Sequence, residues 1–104
     1  MTARLTFALE VADELSDAAA WYDSRRDGLG AELLDEIASI LPLVQDRPHS
    51  FPQLQGFEER FEIRRALLAR FPYAIVFLAK ADEIRVLAVA HAKRRPGYWL
   101  NRLR

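Results

Sequence analysis

Arg64, His91 and Tyr98 have the side-chain types needed to cut RNA through its own 2′-hydroxyl. That reaction requires a base on the hydroxyl, cationic donors on the phosphate as charge develops, and an acid for the leaving 5′-oxygen. Histidine is the side-chain type suited to proton transfer near neutral pH, so His91 could act as base or acid, while Arg64, Arg65, Arg70 and Arg94 could hold phosphate and Tyr73 or Tyr98 could supply a proton. Each also has a structural reading. His91 ends a strand-like run in parity with Val89 and Leu87, where a hydrogen-bonded imidazole is as well suited to packing as to chemistry. Arg65 shares parity with Phe61, Ile63 and Leu67, so it enters the apolar side unless a bulge shifts the register. A buried guanidinium without a partner costs several kcal/mol, so one of Arg64 and Arg65 is expected to pair with a helix carboxylate such as Glu36. His49 reads as loop surface.

A second pattern suits binding. Between Ile84 and Arg104 stand six cations (Arg85, Lys93, Arg94, Arg95, Arg102 and Arg104) and no acid, with Tyr98 and Trp99 among them. Phosphate neutralisation and base stacking would add on such a segment. An acidic protein would serve as well, and Trp99, Leu100 and Leu103 at helical spacing could instead pack a short terminal helix on a sheet. The candidate contact set is Arg64, Arg65, Arg70, Arg85, Lys93, Arg94, Arg95 and Trp99. Net charge is zero over the chain, yet the first 52 residues carry ten carboxylates and four Arg, and the remainder five carboxylates and eleven Arg or Lys. The basic half points to an anionic partner.

Composition narrows the alternatives. With 104 residues, residues 1–104 read as a single domain, which at this size buries roughly two-thirds of its unfolded surface. There is no Cys, which excludes disulfides and thiolate chemistry, and neither His sits in a cluster with metal-ligand spacing, so no metal and no cofactor is expected. The longest apolar run, Tyr73 to Ala79, falls far short of the roughly 20 residues of a membrane helix, and no cleavable signal pattern opens the chain. A cytoplasmic protein without membrane contact is the expectation. Arg outnumbers Lys thirteen to two; bidentate anion recognition or a GC-rich genome would both produce that bias.

The elements that must position these residues follow from periodicity. Arg4 to Glu10 alternates, with Leu5, Phe7 and Leu9 on one side, and predicts a strand. From Asp13 to Arg26 the spacing of Leu15, Ala18, Ala19 and Tyr22 predicts a helix, which Asp27-Gly28-Leu29-Gly30 interrupts. A second helix, striped by Leu33, Ile37, Ile40, Leu41 and Val44, runs to about Asp46 and packs against the first as an antiparallel hairpin. Pro42 predicts a kink or an early end near Leu41. Pro48 to Gly56 reads as a loop pinned by Phe51, Leu54 and Phe57. Phe61–Leu68, Tyr73–Ala79 and Ile84–His91 predict three strands, the last two joined by a turn at Lys80–Glu83. Tyr73–Ala79 is apolar on both faces and belongs in the sheet centre. The fold class is therefore α+β, strand–helix–helix–three strands, an antiparallel-type sheet covered on one face by a helical hairpin, with a possible short C-terminal helix.

This order carries Trp21-Tyr22, Gly28-Leu29-Gly30, Pro48, Phe51-Pro52, Arg64-Arg65-Ala66-Leu67-Leu68, Phe71-Pro72-Tyr73, His91 through Pro96, and Trp99. In that sequence of motifs almost the whole chain resembles the ParE branch of the RelE/ParE toxin superfamily, the toxins of type II toxin–antitoxin modules and plasmid stabilisation systems. The resemblance implies a growth-inhibiting toxin with a cognate antitoxin as partner, and either DNA gyrase or the ribosome and its mRNA as target. RNA-cleaving relatives commonly carry a catalytic Arg at the position of Ala74, and some use lysines without a counterpart here. That departure favours a non-enzymatic gyrase inhibitor over a RelE-type endonuclease, and an inactive or regulatory relative is a third reading. The family pattern usually has Asp where this chain has Arg95. Antitoxins of the family present an extended or helical segment, so the resemblance also implies a groove near the edge strand and the helical hairpin, with Arg85, Lys93, Arg94 and Arg95 facing the partner's acids.

Overall fold

The strand that is apolar on both faces does occupy an interior place in the sheet. The computed structural model describes residues 3–57 and 61–103. Its elements are β1 (Arg4–Phe7), α1 (Glu10–Arg25), α2 (Leu29–Asp46), β2 (Ile63–Leu67), β3 (Tyr73–Ala79) and β4 (Glu83–His91), with 3₁₀ turns at Pro48–Ser50 and Leu100–Arg102. The sheet order is β1-β4-β3-β2. The expected antiparallel pairing holds for β2 with β3 and β3 with β4, whereas β1 joins β4 in parallel. The sheet is mixed because α1 and α2 return the chain to the far side before β2 begins.

Two apolar clusters fill the two faces. Phe77, Ile75, Val86 and Val89 pack beneath Val11 and Ala18 of α1 and Leu33, Ile37 and Val44 of α2. On the other face Ile63, Val76, Leu78, Leu87 and Ala88 are covered by Trp99 from the C-terminal segment and by Leu54 and Phe57 from the loop before β2. The second face would otherwise lie open, so the tail and the loop together act as its third layer.

The first strand is shorter than its alternation suggested. Phe7 is 44% and Leu9 91% exposed, while Ala8 and Val11 are buried. Val11 begins the inward stripe that Leu15, Ala18 and Tyr22 continue, so helical periodicity takes over at Glu10 and ends the strand at Phe7. Pro42 neither ends nor shortens α2, which continues to Asp46. The cost of an interior proline, about 3 kcal/mol, is comparable with the roughly 1.5–3 kcal/mol gained by each fully buried apolar side chain. Val44 is fully buried one turn-half beyond it, and Ile40 and Leu41 pack on the same cluster. The strand anticipated from Phe61 begins at Ile63, and the anticipated terminal helix is a single 3₁₀ turn.

A bulge resets the parity of β4. Val76 lies opposite Ala88 and Phe77 opposite Val86, which leaves Leu87 without a cross-strand partner. Before it, Ile84 and Val86 face the helices; after it, Val89 and His91 do. His91 thus shares a face with Val89, as expected, but not with Leu87.

The carboxylate expected to bind an arginine on β2 does something else. Glu36 accepts the backbone N–H of Ala69 at 2.7 Å and of Arg70 at 3.3 Å, pinning α2 to the β2–β3 turn. Arg64 turns to Glu62, the residue just before its own strand (Nε to Oε2, 2.8 Å), and to the Phe51 carbonyl at 2.6 Å. It is Arg70 that reaches a helix acid, meeting Glu32 at 2.7 Å. That contact, with Arg26 at 3.1 Å, holds the Glu32 carboxyl below its usual range.

The helical hairpin turns on Gly28, whose φ of +88° suits only glycine, and closes at Gly30. Gly30 N–H donates to Asp23 Oδ1 at 2.8 Å, and a Cβ there would meet the Ala19 carbonyl and Asp23 Oδ1. Gly30→Ala should therefore force the two helices apart and destabilise the protein by about 1–3 kcal/mol. Urea unfolding checks this as a lowered midpoint with an unchanged slope.

Candidate binding groove

The face of the sheet away from the helices carries two cross-strand rows, Leu67–Ala74–Ala90 and Arg65–Val76–Ala88. Where two alanines sit side by side the surface is shallow, and the C-terminal segment rises along one flank while Leu54 and Phe57 rise along the other. The result is a groove of about 300 Å³. Ala74 and Ala90 line its floor, Trp99 and Phe71 its walls, and Arg65, Arg94 and Arg95 its rim; no carboxylate lines it among the described residues. Arg65 and Arg95 are exposed, and neither makes an ion pair with a described residue. The Arg94 guanidinium stacks 3.8 Å from the ring centre of Tyr98, which fixes its direction without neutralising it.

One carboxylate positions this flank. β1 is too short to cover the second half of β4, so the edge from Leu87 onward needs other partners. Glu14 on α1 accepts the Val89 N–H at 3.0 Å with one oxygen, and the Tyr98 hydroxyl at 2.6 Å and Arg102 at 3.0 Å with the other. Arg102 also donates to the Leu87 carbonyl at 3.1 Å. Side chains thereby complete a strand edge and tie the tail to α1. Burial first, then the bond to Glu14, pushes the Tyr98 hydroxyl up to about 12.

A second groove, about 370 Å³, opens between α1 and the end of β4, lined by Asp17, Trp21, Tyr22, Tyr73, His91 and Arg94 among others. His91 lies edge-on to Tyr73 at 5.0 Å, and its Nδ1 accepts the Lys93 N–H at 3.0 Å. Burial raises the Tyr73 hydroxyl above its ordinary range, with Tyr22 adding to the effect.

The fold separates the residues proposed for cleavage. His91 and Tyr98 line both grooves, but Arg64 lines neither, is engaged by Glu62 and Phe51, and sits opposite Phe77 while His91 sits opposite Tyr73. Tyr98 already donates its proton to Glu14. Among the contact candidates, Arg65, Arg94 and Arg95 come together; Arg70 is held by Glu32 on the helix side, and Lys93 is exposed beside the groove without lining it. Arg85 lies farther along β4, opposite Leu78, with its Nε buried and without a hydrogen-bond partner among the described residues. Trp99 is 3% exposed and serves the core. Arg104 lies outside the described residues. The groove adjoins the β2 edge as expected, but lies across the sheet from the helical hairpin. Among the described residues no cluster of metal-binding side chains occurs, and no helix is long and apolar enough to cross a membrane.

Glu14 was legible as more than a surface acid. It falls at three residues after Val11 and four before Ala18, an inward position on α1, and an inward carboxylate demands partners. Glu62, which holds both Arg64 and His49 (2.8 Å), left no comparable mark.

Removing the Glu14 carboxylate strands a buried amide, a phenol and a guanidinium together, so Glu14→Ala should cost about 3 kcal/mol by thermal or urea unfolding and loosen the tail. Tyr98 predicts an alkaline signature. Its folded pKa exceeds the unfolded value of about 10, so its contribution is intact below about pH 10 and declines from there toward pH 12. Unfolding curves across this interval should lose that decline in Tyr98→Phe.

No protein-family model matches the chain, and no curated protein matches it. Among solved structures, a chain of the chromosomal ParDE TA system from P. aeruginosa superposes with a TM-score of 0.74 at 16% sequence identity, covering 88% of this chain and 98% of that chain. At that identity the likeness is one of fold: the chain shares the α+β fold of that ParDE chain, which agrees with the strand–helix–helix–three-strand order and with the fold that the resemblance implied.

Proposed function

We propose that this chain is the toxin of a type II toxin–antitoxin module, of ParE type, that acts in the cytoplasm by gripping a macromolecule and is neutralised by a cognate antitoxin. DNA gyrase is the proposed target. The observation that carries the reading is the groove, apolar in its floor, free of carboxylates among the described residues, and rimmed by Arg65, Arg94 and Arg95. Such a surface suits an acidic or phosphate-bearing macromolecule more than a small substrate. The ParE-like fold supports the same reading. Against bond chemistry stand the separation of Arg64 from His91, the engaged hydroxyl of Tyr98, and an alanine at position 74.

An endonuclease of RelE type is the second reading, since His91, Arg94 and Tyr98 do share both grooves. Purified protein separates the two. Inhibition of gyrase supercoiling with intact transcripts in a translating extract is the expected result, and cleavage of ribosome-bound mRNA would overturn it. Expression alone should arrest growth, and an unaffected culture would point to an inactive relative. In the double variant Arg94→Ala with Arg95→Ala, inhibition should weaken by about tenfold or more, as expected for two rim charges lost from a macromolecular contact.

A further inference from the structure

Leu9 stands where a helix start favours Ser, Thr, Asp or Asn, and water reaches nearly all of it. It is the N-cap of α1, makes no side-chain cap bond and is 91% exposed. Phe7, the last residue of β1, is 44% exposed, although Leu5 and Val86 on the same face pack into the core. Two apolar side chains therefore stand open at one edge of the sheet, at a place where a polar cap would have stabilised the helix without disturbing any packing.

The backbone of β1 is open beside them. Arg4 N–H donates to the Asp82 carbonyl and Ala8 N–H to the Val86 carbonyl, each at 2.9 Å, so in this parallel ladder the even-numbered residues bond β4 while Leu5 and Phe7 turn their backbone groups outward. Among the described residues, neither Leu5 nor Phe7 has a partner for its N–H or its C=O. Both ends of this edge are closed. Gln45 donates to the Ala3 carbonyl at 2.6 Å, and Leu9 already has helical backbone, with φ −56° and ψ −36°. Two residues are left, each with a donor and an acceptor free to pair with another strand.

We infer that β1 pairs antiparallel with β1 of a second copy of this chain, joining two four-stranded sheets across a two-fold axis at Thr6. The edge dictates the register. Pairing Phe7 with itself would bring Leu5 against the helical Leu9, and pairing Leu5 with itself would bring Phe7 against the capped Ala3. Only Leu5 opposite the partner's Phe7 uses every open group of both copies and closes a symmetric pair. The same register places Arg4 opposite the partner's Ala8, two residues before the partner's Glu10. The Arg4 side chain is 70% and that of Glu10 50% exposed, and each makes only a loose internal ion pair, at 3.5 Å with Glu83 and 3.9 Å with Arg102. The axis thus turns a cation of each copy toward an acid of the other, whereas a parallel arrangement would set Arg4 beside Arg4. Reciprocal pairing of the open groups and this match of charge select a second copy over an unrelated strand. The inference concerns β1 and the start of α1 alone, and stands apart from the toxin reading.

A four-residue edge makes a small interface, so the dimer should form at micromolar rather than nanomolar concentration. Sedimentation equilibrium on the full chain from micromolar to millimolar concentration tests it, with amide hydrogen exchange in parallel. The expected result is a monomer–dimer equilibrium in which the Leu5 and Phe7 amides become protected as the dimer forms. Leu9→Asn supplies a helix cap, so it should hold or raise the melting temperature while weakening dimerisation by about tenfold. Arg4→Glu should weaken it by a similar factor, and adding Glu10→Arg should recover most of the loss. Thr6 meets its own copy on the axis in a non-hydrogen-bonded pair, where Cα atoms lie about 4.5 Å apart, within reach of a disulfide. The chain has no Cys, so oxidised Thr6→Cys should give a covalent dimer, and Ser39→Cys, exposed on α2, should not. A monomer at every concentration overturns the inference. A dimer that is indifferent to Leu9→Asn, or one that Thr6→Cys fails to lock, uses another face and overturns it as well.

Discussion

A single carboxylate, Glu14, joins the three parts of this protein that sequence order keeps far apart. It sits on α1, bonds the backbone of β4, and holds Tyr98 and Arg102 of the tail. The need for it arises from the shortness of β1, which leaves the second half of β4 without a strand on that side. An exposed edge would be a liability, and side chains close it. Once the tail is tied down, Trp99 covers the outer cluster and the Arg94–Tyr98 stack lines the groove. The geometry of the cationic rim therefore depends on a bond formed on the opposite side of β4.

The division of the chain into acidic and basic halves resolves into two uses. Part of it is structural, because Glu32 and Glu14 from the helices take up Arg70 and Arg102 from the second half. Those pairs anchor the helical hairpin to the sheet and to the tail. Another part gathers on the outer face, where Arg65, Arg94 and Arg95 converge without an ion pair to a described residue. Among the described residues Arg65, Arg94 and Arg95 meet no carboxylate at the groove, and their convergence gives that face a coherent sign of charge.

Small side chains give this face its shape. Ala74 and Ala90 are neighbours across β3 and β4, and the depression above them exists because neither fills it. An arginine at position 74 would place a cation on that floor and suit phosphate chemistry. Alanine leaves an apolar trough with room for a side chain.

How much was legible in the sequence depended on the range of the interaction. Period-two and period-3.6 patterns revealed both helices, the three later strands and the interior place of Tyr73–Ala79, because burial on one face or two leaves its mark on neighbouring residues. Gly28 of the helical turn was equally visible, since a positive φ constrains the residue that adopts it. The parallel pairing of β1, the bulge at Leu87, the choice of Glu62 by Arg64 and the meeting of Glu14 with Tyr98 and Arg102 left no such local mark. Each joins residues from different segments or depends on how two strands slide past one another. The amino-acid sequence by itself determined which elements form and that one half of the chain is cationic; only the tertiary structure decided which cations stay free and where they converge, because an ion pair is settled by three-dimensional distance and a strand's register by all of its neighbours together.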